Sequence, residues 1–194
     1  MLRRILAWLA TLVAGAALGG ASAWATLSYG AASFTEHYGR WVHSRAAGST
    51  AAGPYTRAII AREGLLALSA REALYFSLYE DEHGRRLSES CIYDLAGPAL
   101  DARWWSVTLY ADDNFLAQNT DNAHSIDASR IGVDRPWSAR ISPVRGEAAH
   151  WISSRAARQG FVLTLRVYNP QRDFRASEAT LPVLTTVSCA GDDS

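Results

Sequence analysis

The feature that most constrains this chain is an uncharged, apolar run close to its N-terminus. No charged residue lies between Ile5 and Thr35, and the stretch from Ile5 to Leu27 is mostly apolar. At about 1.5 Å of rise per residue, a helix of that length crosses a hydrocarbon core about 30 Å thick. Arg3 and Arg4 precede the run, and positive residues tend to stay on the cytoplasmic side. The sequence therefore predicts a single-pass inner-membrane protein with a cytoplasmic N-terminus and a periplasmic globular domain.

A cleaved signal peptide is the competing interpretation of the same run. Arg3 and Arg4 would form its charged region, and Ala21-Ser22-Ala23 would be its cleavage site. We favour a retained anchor, because the apolar run is longer than the roughly 7–15 residues of a typical signal core. Both interpretations export the domain. The expected organisation is an anchor or signal peptide over residues 1–29, a linker over 30–53 and a β-rich domain over 54–194.

Small side chains recur every four residues along the predicted membrane helix, at Thr11, Gly15, Gly19 and Ala23. This spacing puts them on one helix face and allows another helix to approach closely. Gly15 and Gly19 are therefore predicted to pack in the membrane against a partner helix. The alternative is that a segment rich in Ala and Gly produces such a spacing by chance.

Composition limits both the size of the domain and its ligands. The chain has 194 residues, is 48% hydrophobic and has a formal net charge of zero. After the leader is subtracted, this length suits one domain with its own core. A neutral chain has no broad positive field, so nucleic acid is not an expected partner. Every positive side chain is Arg and none is Lys, which excludes a P-loop lysine and a Schiff-base lysine.

The patterning after the linker is mainly that of short strands. Pro54 opens one short predicted helix that Gly64 can end. Downstream, apolar and polar residues alternate with a period of two, and the turn Asp81-Glu82-His83-Gly84 is predicted to close a hairpin. The predicted strands are Leu74–Tyr79, Cys91–Leu95, Trp105–Tyr110, Phe115–Gln118 and Phe161–Tyr168. We therefore expect a mainly β protein, with a β-sandwich or jelly-roll-like domain following the transmembrane helix.

Several local motifs resemble a known family, the domain of unknown function family 1214. They are Pro54-Tyr55-Thr56-Arg57-Ala58, Glu72-Ala73-Leu74-Tyr75-Phe76, Asp81 with Gly84, Cys91 with Tyr93, the run from Ala102 to Tyr110, Leu165-Arg166 with Tyr168 and Pro170, and Leu181-Pro182. The Arg103-Trp104-Trp105-Ser106 run with its following Thr-Leu-Tyr is the most specific part. The resemblance implies a short, membrane-anchored bacterial version of a β-rich, jelly-roll-like domain. It also implies a companion membrane protein of the 1254 domain family. The resemblance brings no established reaction with it.

Motifs that carry catalytic chemistry are absent from the sequence. There is no nucleophile elbow, no zinc-binding His-Glu-x-x-His, no Walker A loop and no dinucleotide turn. None of the five histidines has the spacing of helical metal ligands. Acidic and amide side chains between Asp112 and Asn122 offer oxygen ligands for Ca²⁺, but turn chemistry explains the same residues. We expect no catalytic residue, metal site or cofactor.

Aromatic and arginine side chains supply the best candidate binding surface. Alternation places Trp105 on the core face of its strand and Trp104 on the opposite face. A row of rings near arginines on an outer sheet face offers area together with polar groups. The candidate ligand- or partner-binding residues are Arg103, Trp104, Ser106, Tyr110, Arg166 and Tyr168. Ordinary sandwich packing, with Arg stacked on Trp, is the alternative.

Cys91 and Cys189 are the only cysteines of the chain. Export to an oxidising compartment permits a disulfide between them, which would close a loop of about 100 residues and contribute several kcal/mol in the loop-entropy model. In the cytoplasm both would be free thiols.

Two classes of function remain. The first is a non-catalytic module of the bacterial envelope that binds a partner protein. The second is an envelope hydrolase, in which Asp112 or Asp121 would be brought beside His124 or His150. A further alternative is a binder of glycans or small ligands that uses the aromatic face.

Overall fold

The computed structural model describes residues 1–29, 35–44, 53–54, 57–58, 61, 68–69 and 71–191. Helix α1 covers Leu2–Tyr29. Its segment Arg3–Thr26 is mostly apolar and is not buried against the rest of the chain. This helix is long and apolar enough to cross a membrane, as an anchor or as a signal sequence.

Ten strands and one further helix with defined bounds follow α1 in the described part of the chain. They are β1 (Thr35–Tyr38), β2 (Trp41–Ser44), β3 (Ala73–Leu78), β4 (Cys91–Gly97), β5 (Ala102–Tyr110), β6 (Ser125–Asp127), α2 (Ala128–Ile131), β7 (Trp137–Ser142), β8 (Trp151–Ser153), β9 (Val162–Pro170) and β10 (Val183–Cys189).

The strands form two sheets that enclose one core. The first sheet has the order β1-β2-β3-β9-β5-β6 and is antiparallel throughout, and the second has the order β10-β4-β7-β8 with a parallel β7–β8 pair. Trp105 of β5 and Trp137 of β7 stack in the core, with ring centroids 4.5 Å apart. Val107 and Leu109 lie on the same side of β5 and are fully buried. The predicted fold class, a mainly β sandwich of two sheets, is confirmed.

The first sheet begins inside the range that the sequence assigns to the linker. Residues 35–44 form β1 and β2, which pair with each other and through β2 with β3. Trp41 is 3% exposed, and its Nε1 donates to the carbonyl oxygen of Pro182. A buried tryptophan with a satisfied N–H joins this hairpin to the domain, so the expected linker does not hold for these ten residues.

One local prediction is supported where the structure describes it, and another is wrong. Of the helix predicted from Pro54 to Gly64, the structure describes Pro54, Arg57, Ala58 and Ala61, and all four are helical. A further short helix, α2, is capped by the Asp127 carboxylate accepting from the Ser129 N–H. Phe115–Gln118 forms no strand. There the Asp113 carboxylate accepts from the Phe115 N–H, so side-chain hydrogen bonds take the place of a strand ladder.

The turn after β3 forms, but it does not close the expected hairpin. The fully buried Asp81 carboxylate accepts from the N–H groups of His83 and Arg85, both at 2.9 Å, and Gly84 takes the left-handed conformation with a φ of 74°. Strand pairing then ends after one bridge, between Glu80 and Arg86. The chain continues into β4, which belongs to the second sheet, so this turn connects the two sheets.

Strand β10 lies at one edge of the second sheet and is fastened in two ways. Cys189 is the register partner of Cys91 on β4, and the two are joined by a disulfide. On the other edge of β10, Arg40 donates to the Leu184 carbonyl at 2.7 Å, while Glu82 accepts from the Thr186 N–H at 2.7 Å. Side chains from the first sheet thus occupy backbone groups of this edge that would otherwise be open to another strand.

Candidate functional site

The outer face of the first sheet carries most of the predicted binding residues, because β9 lies between β3 and β5. Trp104 on β5 is directly opposite Tyr168 on β9. One step further along, Arg166 of β9 is opposite Ser106 on one side and Tyr75 of β3 on the other. We call these five residues together with Tyr110 the outer aromatic face.

Trp104 and Tyr168 form its aromatic centre. Their ring centroids are 5.3 Å apart with the planes tilted by 58°, and both rings are half-buried. The Trp104 Nε1 donates to the Ser129 hydroxyl of α2 at 2.8 Å, which fixes the orientation of the indole. Burial raises the pKa of the Tyr168 hydroxyl, so this group stays neutral. The pair therefore offers fixed, uncharged ring area.

Arg166 is the cation of the outer aromatic face. Its Nη2 donates to the Tyr110 hydroxyl at 2.8 Å, and its guanidinium carbon lies 5.2 Å from the Tyr110 ring centroid. The Tyr75 ring lies on its other side, at 5.9 Å. Two aromatic rings thus flank a half-buried guanidinium. This arrangement holds the charge in a defined position and partly removes it from water.

The remaining predicted residues occupy different places. Ser106 lies on the outer aromatic face but is only 6% exposed, so it belongs to the floor of the surface. Arg103 does not join this group. Strand alternation puts it on the side of β5 that carries Trp105, at the start of the strand, where it is exposed.

Tyr75 is the residue that the sequence argument missed. Its neighbour Phe76 is 1% exposed and faces the core, so alternation alone places Tyr75 on the outer side of β3. Its position beside Arg166 depends on the pairing of β3 with β9, which are far apart in the chain. No pattern in the local sequence predicts that pairing.

The residues considered for hydrolysis meet only in part. Asp121 and His150 line one cleft of about 190 Å³, whereas Asp112 and His124 are not among its lining residues. The Asp121 carboxylate accepts hydrogen bonds from the Arg155 guanidinium and from the Ser153 hydroxyl, the latter at 2.6 Å. The Arg155 contact, followed by that of Ser153, lowers the pKa of Asp121. A carboxylate held in this way is a weak general base.

Metal ligation finds no support in the geometry of the described ranges. They contain no group of three or more His, Cys, Asp or Glu side chains that would hold a metal ion. The acidic and amide residues near Asp113 and Asn119 are used in turns, where Asn119 accepts from the Asp121 N–H at 3.1 Å.

A solved structure that is similar to this chain shares its fold. The VPA0106 protein from Vibrio parahaemolyticus matches with a TM-score of 0.54 and 23% identity over 71% of this chain. This chain spans only 36% of that protein. An uncharacterised protein from Burkholderia cenocepacia also matches, with a TM-score of 0.43 and 14% identity over 61% of this chain and 30% of its own length. No curated protein matches significantly.

The family model named "Protein of unknown function (DUF1214)" matches residues 72–172, just over half of the 194-residue chain. These residues include β3 to β9 and the outer aromatic face, and they lie within the region that the sequence motifs single out. The resemblance to family 1214 is thereby confirmed, and the chain belongs to the DUF1214 family of proteins of unknown function.

Proposed function

We propose that this chain is a membrane-anchored, exported module of the bacterial envelope that binds a partner protein without catalysing a reaction. The observation that carries the proposal is the outer aromatic face, on which two adjacent strands hold two contacting pairs, Trp104 with Tyr168 and Arg166 with Tyr110. Tyrosine, tryptophan and arginine are the residue types that contribute most to protein–protein binding energy.

The contacts within this surface support binding over catalysis. Trp104 is fixed by Ser129 and Arg166 by Tyr110, so little side-chain entropy remains to be lost when a partner binds. Burial raises the pKa of the Tyr168 hydroxyl and keeps this group neutral. A rigid aromatic surface with a single oriented guanidinium suits a partner that presents apolar side chains and a carboxylate or carbonyl oxygen.

Export is supported by the disulfide between Cys91 and Cys189, because such bonds persist mainly in oxidising compartments such as the periplasm. A periplasmic domain agrees with Arg3 and Arg4 on the cytoplasmic side of α1. The partner that the family resemblance suggests is a membrane protein with a domain of family 1254. It would contact the outer aromatic face, and a helix of it would pack against Gly15 and Gly19.

A photo-crosslinking amino acid tests this surface directly. We would replace Tyr110 of the full chain by benzoylphenylalanine in the producing cells, because this residue keeps an aromatic ring at the edge of the surface. The control replaces Val144, which is 74% exposed on the β7–β8 loop. The proposal predicts one protein crosslinked from position 110 and not from position 144, identified by mass spectrometry. No crosslink from position 110, or equal crosslinking from both, would contradict it.

A further inference from the structure

A cleft lies where the edge strands β6 and β8 of the two sheets meet. It is the cleft of about 190 Å³ that contains Asp121 and His150. The Ser153 N–H of β8 donates to the Ala123 carbonyl just before β6, at 2.8 Å, so the two sheets are joined at its base. Its wall on the side of the first sheet contains Ile126 and Ile131.

Two arginines line this cleft from different elements of the fold. Arg130 belongs to α2, next to β6, and Arg145 lies on the loop between β7 and β8. In the part of the chain that the structure describes, neither has a carboxylate within ion-pair distance, while the cleft's own carboxylate, Asp121, is neutralised by Arg155. The cleft therefore has an excess of positive charge in a chain whose formal net charge is zero.

The rest of the lining is fixed in place. The Trp151 Nε1 donates to the carbonyl and hydroxyl oxygens of Ser142, both at 3.1 Å, which orients the indole at the cleft wall. His150 and Asn122 add polar groups beside it. Two guanidinium groups and an oriented ring that line one cleft can bind a planar or tetrahedral anion and a ring attached to it.

We propose that this cleft binds a small anion, a molecule with a phosphate or carboxylate group and at most about the size of one sugar ring. The guanidinium groups of Arg130 and Arg145, which have no ion pair within the described part of the chain, would bind the anionic group, and Trp151 would contact the remainder. The small volume excludes extended polyanions and acidic peptides, because sites for drug-sized ligands usually measure about 300–1,000 Å³.

Calorimetric titration of the full chain in a non-ionic detergent at low ionic strength tests the proposal. The probes are inorganic phosphate, glucuronate and the neutral sugar glucose. The variants are the double substitution Arg130→Gln/Arg145→Gln and the control Arg172→Gln, which removes an exposed arginine after β9. Arg130 and Arg145 are exposed, so the double variant should unfold at the wild-type temperature.

The expected result is binding of phosphate, glucuronate or both, weakened about tenfold or more in the double variant and unchanged in the control. Tighter phosphate binding would identify a phosphate ligand, and tighter glucuronate binding would identify a carboxylate on a ring. The proposal is overturned if neither anion binds at millimolar concentration, if glucose binds as well as glucuronate, or if Arg172→Gln weakens binding as much as the double variant.

Discussion

Gly97 lies directly beneath the indole ring of Trp137, its register partner on β7. The distance from a Cβ atom at this position to Trp137 Cε2 and Cζ2 would be shorter than van der Waals contact allows. Trp137 in turn stacks on Trp105 of the opposite sheet. The absence of a side chain at Gly97 therefore sets how closely the two sheets approach each other.

The change Gly97→Ala should lower the free energy of unfolding by about 1–3 kcal/mol, because the indole must move and disturb its stack with Trp105. Thermal unfolding of the full chain in mild detergent measures this. Gly146, where a Cβ meets nothing within 4 Å, supplies the matched control Gly146→Ala. Equal stability of the two variants would show that Trp137 is not confined by Gly97.

Asp81 should make stability depend on pH in the acidic range. Burial raises the pKa of its carboxyl, but hydrogen bonds from Arg85 and His83 outweigh that effect and lower it below 3.8. A group whose pKa is lowered by folding stabilises the protein above its unfolded pKa, and this contribution is lost as the pH falls through the folded value.

Asp81→Asn should therefore be less stable than the wild type at pH 7, by about 2–3 kcal/mol, and the difference should shrink below pH 4. Unfolding temperatures of the wild type and the variant at pH 7, 4 and 3 measure this difference. Asp112→Asn is the control, because Asp112 is exposed. A stability difference that stays constant with pH would mean that the charge of Asp81 does not contribute to the stability of the folded protein.

Strand β10 is attached to β4 by the disulfide between Cys91 and Cys189, which are 98 residues apart. In the loop-entropy model a closed loop of about 100 residues contributes about 4–5 kcal/mol. The double change Cys91→Ala/Cys189→Ala should lower the unfolding temperature by about 10 °C. Reductant should have the same effect on the wild type. Two free thiols in protein from native membranes would contradict the pairing.

In helix α1, a Cβ added at Gly15 or Gly19 meets nothing within 4 Å, so this face is open in the chain alone. Gly15→Leu/Gly19→Leu should abolish co-purification of a partner with a membrane helix, because close approach of the backbones is blocked. Ala17→Leu/Ala21→Leu adds the same bulk to the opposite face and should not. Unchanged co-purification of the first variant would remove this helix face from the account.

Long alternating segments made β3, β5 and β9 predictable, whereas short polar ones hid β1 and β2. Thr35–Tyr38 and Trp41–Ser44 each contain a histidine and lack a clear period of two. They form strands because Trp41 is buried against the loop before β10, a contact that spans most of the chain. Tertiary contacts, and not local preference, determine these strands.

In the candidate site, too, local patterns predict some features and tertiary contacts determine the others. Alternation correctly separated Trp104 from Trp105, since each choice depends on one strand. It could not add Tyr75 to Arg166 and Tyr110, because that requires the order β3-β9-β5. The sequence also contains no sign of the cleft that contains Arg130 and Arg145, because one arginine lies on α2 and the other on the loop between β7 and β8.

Taken together, the anchor, the disulfide and the outer aromatic face support one account. Helix α1 would keep the domain at the membrane, the disulfide is suited to an oxidising compartment, and Trp104 with Tyr168 would bind the partner. The cleft that contains Arg130 and Arg145 is next to this surface, because α2 contributes Arg130 to the cleft and Ser129 to the hydrogen bond with Trp104.

Affinity purification of the full-length protein from its own membranes, in mild detergent, tests this account most directly. Mass spectrometry would read both the N-terminus and every protein that elutes with it. The account predicts an intact terminus at Met1 or Leu2 and a partner in stoichiometric amount, lost in the variant Trp104→Ala/Tyr168→Ala. A mature terminus near Trp24 with no partner would contradict it and would indicate a secreted domain.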